Sequence, residues 1–421
     1  MIKSIHIIGS GLAGLSSAIH LLKKNRKINI YEASTIFGGR CRSYKERDFK
    51  CVLDNGNHLI IKAYKNTFKY IKEINAEKEL ITNSDTLYHF IDISKSTKWT
   101  VRPYTFIFPW WVFINSYRPA DVSFFDFIKS MKIFFARNNQ TVCDVLDSNS
   151  LIYKRFWKPF TIAVLNTHPK EASAKLLCKV VKKTLFFNNP LKPFAVKESL
   201  NNSLIKPAIK KIIEKGGNVK SNMRLKKIIF KKNFASEMIF NKKKIKIGKD
   251  EKIILAVTPN IASKILPNIK TPKKTNCILN VHFKLDKNYK EIVFPKNSFF
   301  IGLIGGTADW IFKKKNILSI TISAANHLSN ISNEEISMLV WKDVIKAFNL
   351  VNTKKPNYKI IKEKMATFVQ SPNEIFRKPK MITKFNNVFL AGDWIDMGLP
   401  ATIEGAITSG YNLSNFINKK K

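Results

Sequence analysis

A chain of 421 residues is long enough for two packed domains and a closed pocket, and a hydrophobic fraction of 45% excludes a disordered polymer. The five cysteines (Cys41, Cys51, Cys143, Cys178 and Cys277) are scattered, with no CxxC or Cys/His ligand spacing. That excludes a disulfide framework and a zinc site, implies no metal, and points to a reducing cytoplasmic compartment. The formal net charge of +43 would draw polyanions, nucleic acid or an anionic membrane face, but Lys far outnumbers Arg and is spread among abundant Asn and Ile. The charge therefore reads chiefly as compositional bias, and nucleic acid, whose recognition leans on arginine, is not expected as a partner.

The first residues run straight into a strand without a charged-then-apolar leader, so no export signal is expected. Ile5 to Ile8 predicts a buried strand, Leu12 to Leu22 a helix and Ile28 to Tyr31 a second strand, which together make a βαβ unit. Ile212 to Lys215 reads as a helix end closed by Gly216-Gly217, followed by strands at Val219, Leu225, Ile228 to Phe230 and Ile253 to Val257. Val388 to Ala391 predicts a last strand entering a turn at Gly392, and Thr402 to Phe416 a closing helix. Two stretches differ in character: an aromatic-rich one at 91–200, and one at 276–360 that opens on the alternating strand pattern Ile278 to Phe283. These are assigned to a substrate domain, interleaved with a cofactor domain made of 1–90, 201–275 and 361–421.

Gly9-Ser10-Gly11-Leu12-Ala13-Gly14 is a GxGxxG at the junction of strand and helix. The first glycine permits the turn, the second lets backbone N–H groups reach a pyrophosphate, and the third lets helix pack on strand. Glu32, closing the second strand, stands where an acid binds ribose hydroxyls. Gly38-Gly39-Arg40 adds a second glycine turn and a cation for pyrophosphate, which argues FAD over NAD. Asp54-Asn55-Gly56-Asn57-His58 offers a glycine among polar groups, suited to close approach to a flat ring or to a plain Asx-rich turn.

With Leu390-Ala391-Gly392-Asp393-Trp394 and Pro400 to Gly410, these elements resemble the amine oxidase and phytoene desaturase flavoprotein superfamily. The match is most similar to the hydroxysqualene dehydroxylases, or squalene-associated FAD-dependent desaturases, through five finer elements. These are Asp54 to His58, Leu165-Asn166-Thr167, Gly305 to Trp310, Glu363 to Phe368, and Gly392 to Ala406. The resemblance implies an α/β fold, a Rossmann-type FAD-binding domain interleaved with an α+β substrate domain. It also implies reduction of hydroxysqualene to squalene in hopanoid and triterpene formation, with an electron donor of unspecified chemistry. By resemblance Asp393 holds the pyrophosphate and ribityl region, the backbone from Thr402 through Ile403 to Ala406 meets the flavin ring at a helix N-terminus, and Leu225 contacts adenine.

Such a reaction needs a proton for the departing hydroxyl, a stabilised cation and a directed hydride. Asp396, His58 and Asp54, with Glu404, are the proton-donor candidates, each against a plainer role in cofactor positioning or helix capping. Trp157, Phe160 and Trp310 are candidates for facing a cation, against an ordinary core role.

The apolar run from Tyr104 to Ser116, centred on Trp110-Trp111 and flanked by Arg102 and Arg118, is interrupted by Pro109 and too short to span a bilayer. It suits an interfacial dip, as does the stripe Phe124, Phe125, Phe127, Ile128, Met131, Phe134 and Phe135; packing inside the substrate domain is the alternative. The expected location is thus cytoplasmic and peripheral on the inner membrane face, with a long isoprenoid as substrate. A carotenoid-type desaturase and a non-enzymatic flavin-binding membrane-surface protein are the competing readings.

Overall fold

The computed structural model describes residues 2–22, 26–106, 108–186, 190–241, 243–351 and 353–419; Ile107 of the aromatic run lies outside them. The strand Ser4–Ile8 is buried along its whole length, as a central parallel strand covered on both faces must be. It pairs in parallel with Lys27–Tyr31 and Glu251–Leu255. Asn218–Lys220 and Val388–Leu390 complete the five-stranded sheet at its two edges, also in parallel. Three distant parts of the chain thus build one sheet.

Every residue of the helix Leu12–Leu21 is buried, because the closing helix Ile403–Lys419 packs along it. Gly410 allows that approach: a Cβ there would stand 2.4 Å from the Ala13 carbonyl oxygen and 2.7 Å from the Ser17 nitrogen. Ser16 Oγ donates to the Ile407 carbonyl at 2.8 Å and Ser414 Oγ to the Ser17 carbonyl at 3.1 Å, satisfying buried hydroxyls across the pair.

A second sheet of seven strands runs in the order Tyr358–Phe368, Thr275–Lys284, Ile317–Ile322, Trp310–Lys314, Phe300–Ile304, Tyr88–Asp92 and Thr97–Val101. Its neighbours are antiparallel except for Phe300–Ile304 with Tyr88–Asp92. The strand Tyr88–Asp92 straddles the expected boundary at 90/91, and Tyr358–Phe368 the one at 360/361. Pairing, not position in sequence, decides which sheet a strand joins.

The aromatic-rich stretch divides its side chains between core and solvent. Trp111, Ile133 and Trp157 are buried in one cluster, with Phe124, Phe127 and Phe134 packed against it. Trp110, Phe106, Phe125 and Phe135 are 61%, 62%, 68% and 83% exposed. The stripe from Phe124 is a helix only to Ser130 and tightens into a 3₁₀ turn over Met131–Phe135, so its two halves face differently.

Gly410→Val should pry the two helices apart, with an overpacking penalty of about 1–3 kcal/mol. Thermal unfolding followed by circular dichroism should show a lower midpoint than the parent's.

Candidate active site

A cavity of about 780 Å³ opens at the carboxyl ends of the parallel strands, where open α/β sheets bind ligands, and runs on to the second sheet. Its wall includes Gly9, Gly11, Leu12, Ala13, Glu32, Gly38, Gly39, Arg40, Asn57, His58, Leu225, Gly392, Asp393, Thr402, Ile403 and Ala406. Of the residues expected at the cofactor, Gly14 alone is absent from the wall. It stands behind the turn, where a Cβ would be 2.1 Å from the Gly9 carbonyl oxygen. Gly9 itself has φ +105° and leaves no room for a side chain against Ala256.

The start of the helix Leu12–Leu21 carries no side-chain cap, and a Cβ on Gly11 would meet nothing within 4 Å. Uncapped N–H donors facing open space fit a pyrophosphate. Ser10, which spacing alone did not single out, locks this turn: its N–H and Oγ donate to Glu32 Oε2 at 3.0 and 2.7 Å, and Gly38 N–H donates to its Oγ at 3.3 Å.

Arg40 pairs with Asp393 across the cavity wall, Nη2 to Oδ1 at 2.9 Å, and donates through Nη1 to the Ala366 carbonyl at 2.5 Å. One ion pair therefore joins the second glycine turn to the distant Gly392-Asp393-Trp394 motif. Gln370, fully buried, donates to the Leu165 carbonyl at 2.6 Å and accepts from the Ala401 N–H at 2.9 Å, fixing the approach to the closing helix. Lys378 donates to the Leu399 carbonyl at 3.1 Å, and burial pushes its ammonium down to about 8. Neither residue lies in a pattern that sequence spacing reveals.

The proton-donor candidates separate. Asp396 is exposed and outside the cavity wall. Asp54 is also outside it, its Oδ1 accepting from Ser43 Oγ at 2.5 Å and from the Leu200 N–H at 2.9 Å, so it anchors two loops. Glu404 reaches the wall, but its carboxylate caps the helix Lys65–Glu73 through Asn66 and Thr67 and also accepts from Thr408 one turn on in its own helix. His58 remains, and burial with the Arg40 charge holds its imidazole down to about 4, so it is neutral at physiological pH. The two carboxylates of Asp54 and Asp396 were expected at the chemistry because they flank flavin motifs; the fold turns both motifs so that their backbones, not these acids, face inward.

Beyond the cofactor turns the wall becomes apolar and aromatic: Ile61, Tyr88, Phe90, Leu191, Phe156, Phe160, Trp310 and Phe312. Phe160 and Trp310 are where they were expected, but Trp157 is buried in the core beside them. A wide π turn over Tyr153–Trp157 presents Phe156 in its stead, stacked on Phe160 at 5.7 Å.

A polar layer separates this arm from the rest of the second sheet. Asn57 donates to Ser319 and Thr321 at 2.8 and 3.0 Å, Thr321 to Asn280 at 2.9 Å, and Asn280 to the Asn55 carbonyl at 3.1 Å. His282 lies beneath, 2.8 Å from Ser319 Oγ, and burial holds it down to about 4 from its ordinary 6.5.

The glycine turns, the acid-locked second strand and the capless helix define a dinucleotide-dependent oxidoreductase with an apolar substrate arm. Comparison with known proteins narrows that class. The family of flavin containing amine oxidoreductases matches residues 12–144 and 199–417. A hydroxysqualene dehydroxylase of Sinorhizobium fredii is 34% identical over 412 residues, 97% of each chain. A zeta-carotene desaturase of Solanum lycopersicum is 37% identical over 82 residues only, 20% of this chain and 14% of its own. The solved cyclohexylamine oxidase from Brevibacterium oxydans superimposes with a TM-score of 0.72 at 12% identity, covering 100% of this chain and 99% of its own, which speaks for the fold alone. The chain belongs to the flavin containing amine oxidoreductase family and, within it, groups with the hydroxysqualene dehydroxylases.

Asp393→Ala leaves the half-buried Arg40 guanidinium without its carboxylate, and flavin affinity measured by reconstitution of the stripped protein should fall about tenfold or more. Adding Arg40→Ala should cost less in the Asp393→Ala background than in the parent. Because the folded state depresses the His282 pKa, the neutral ring's stability is fully present above pH about 6.5 and is lost as pH falls through about 4. Melting temperature should drop across that window, and less steeply in His282→Gln.

Proposed function

We propose that this protein is an FAD-dependent hydroxysqualene dehydroxylase, replacing the hydroxyl of hydroxysqualene by hydrogen to give squalene for triterpene and hopanoid formation. The observation that carries this reading is one continuous cavity, joining a pyrophosphate-type cradle to an aromatic arm, in a chain that matches hydroxysqualene dehydroxylases along nearly its full length. Reduced FAD, when bound, supplies the hydride. Gly11 and the start of the helix Leu12–Leu21 fit its pyrophosphate, Glu32 its adenosine ribose, Leu225 its adenine, and Thr402 to Ala406 its ring.

Phe156, Phe160 and Trp310 exclude water from the arm and present π faces to a developing allylic cation, worth about 2 kcal/mol each when desolvated. Arg40 and Asp393 neutralise one another beside the pyrophosphate cradle, so the pair orients the motif without adding net charge.

Among the described residues no helix is long and apolar enough to cross a membrane. Attachment through the exposed aromatic face is part of the proposal. Trp110 contacts Phe108 and Phe113, and Phe113 stacks on Phe124 at 4.4 Å, so these rings form one surface, larger than scattered exposed side chains would. Val101 and Pro103, just before this segment, line the cavity, and Phe108 lies 6.2 Å from Phe186, just after the cavity residues Lys183 and Thr184. A hydrocarbon leaving a bilayer on this face is delivered at the apolar arm.

Anaerobic stopped-flow absorbance of the photoreduced protein mixed with hydroxysqualene should show flavin reoxidation with stoichiometric squalene in the quenched product. Flavin that stays reduced with substrate recovered unchanged would overturn the reading. In liposome flotation, anionic vesicles should carry the protein up at low salt, and replacing Phe108, Trp110 and Phe113 together by Ser should leave most of it at the bottom.

A further inference from the structure

We infer that Tyr64 recognises the substrate's hydroxyl and so makes the cavity selective for the alcohol over the hydrocarbon it becomes. The inference rests on the reading of the cavity as a hydroxysqualene site.

A long isoprenoid alcohol has one polar group, and burying it without a hydrogen-bond partner is unfavourable, so a selective arm must hold a partner where the chain meets the cofactor. Most polar groups of the wall are committed elsewhere. Tyr88 donates to the Leu191 carbonyl at 2.7 Å. Asn57, Thr321 and Asn280 bond to one another and to their neighbours in the polar layer. The Asn166 amide donates to Thr367 at 2.9 Å and accepts from the Ala324 N–H at 2.7 Å. Glu404 is occupied by Asn66, Thr67 and Thr408.

Tyr64 is placed differently. It ends the loop before the helix Lys65–Glu73 and lines the cavity between two sets of neighbours. On one side are Thr402 and Glu404 at the start of the closing helix, the Glu404 carboxylate accepting from the N–H groups of Asn66 and Thr67, just after Tyr64 in the chain. On the other is Tyr88 in the aromatic arm: the N–H of Ala63, beside Tyr64, donates to the Pro190 carbonyl at 2.9 Å, and Tyr88 donates to the carbonyl of the next residue, Leu191. The phenol therefore stands at the junction of the cofactor and hydrocarbon arms. Among the described residues only the Thr402 hydroxyl interacts with its own, and a phenol both donates and accepts, so hydrogen-bonding capacity is left for a ligand. Burial and the Glu404 charge push its pKa up to about 12, which keeps the O–H protonated throughout the physiological range.

The test is equilibrium binding of hydroxysqualene and of squalene to the oxidised FAD-loaded protein, which cannot turn over the alcohol, followed by the flavin absorbance difference spectrum. The parent should prefer the alcohol by about tenfold, one hydrogen bond's worth. Tyr64→Phe should lose that preference while binding squalene as the parent does. Tyr88→Phe, whose hydroxyl is already spent on Leu191, should keep it. A preference that survives in Tyr64→Phe, or that disappears equally in Tyr88→Phe or is missing in the parent, would overturn the inference. Unchanged squalene affinity in Tyr64→Phe serves as the check that the cavity is intact. Absence of squalene formation by the photoreduced parent would sink the dehydroxylase reading instead, and binding to the oxidised protein keeps the two failures apart.

Discussion

The structure depends on the packing of its first helix against its last. Leu12–Leu21 and Ile403–Lys419 touch closely because Gly410 presents no side chain to the Ala13 carbonyl, and Ser16 and Ser414 satisfy their hydroxyls across the contact. Both helices begin at the cavity, so this one contact brings together two N-termini nearly four hundred residues apart in sequence. Each N-terminus is a source of partial positive charge, the first uncapped and the second capped by Thr402, which suits one to a pyrophosphate and the other to a ring that becomes electron-rich on reduction. The Arg40–Asp393 pair closes the same gap on the cavity side, buried enough at Asp393 that loss of either partner strands a charge.

From this frame the cavity acquires its two unlike arms. The cofactor arm is built largely on glycine turns at Gly9, Gly11, Gly38 and Gly392, which let the chain itself approach the cavity, with Glu32, Arg40 and Asp393 beside them. The substrate arm is made of aromatic side chains from the π turn, the second sheet and neighbouring loops. Against the second sheet lies the layer of Asn55, Asn57, Asn280, Ser319 and Thr321, whose members satisfy one another. A fully paired polar layer is rigid and offers few free groups to a ligand. Such a wall is a poor place to dissolve a hydroxyl at random and a good place for a single positioned one.

Among the described residues the acids expected at the chemistry, and Glu363 in the wall, are engaged by the protein or face solvent, which separates this site from a simple acid-catalysed picture. Asp54 and Glu404 spend their oxygens on backbone N–H groups and hydroxyls, and Asp396 faces solvent. His58 reaches the cavity as a neutral ring. On the proposed reading, water exclusion and aromatic faces, with a hydroxyl held at one point, are what this chain's own side chains bring to the reaction.

The sequence by itself determined the cofactor end. A GxGxxG between an apolar run and a helical period, an acid closing the next strand, a second glycine turn and a distant Gly-Asp-Trp are local patterns, and local sterics dictate their shape wherever they occur. The roles of the acids, the choice of Phe156 over Trp157 for the wall, the membership of Tyr358–Phe368 in the second sheet and the setting of Tyr64 were decided only by the tertiary structure. Spacing along the chain tells which residues share a turn or a strand face. Whether a carboxylate meets a cavity, a hydroxyl or a backbone amide depends on segments hundreds of residues away, brought there by helix packing and strand pairing that no local pattern records.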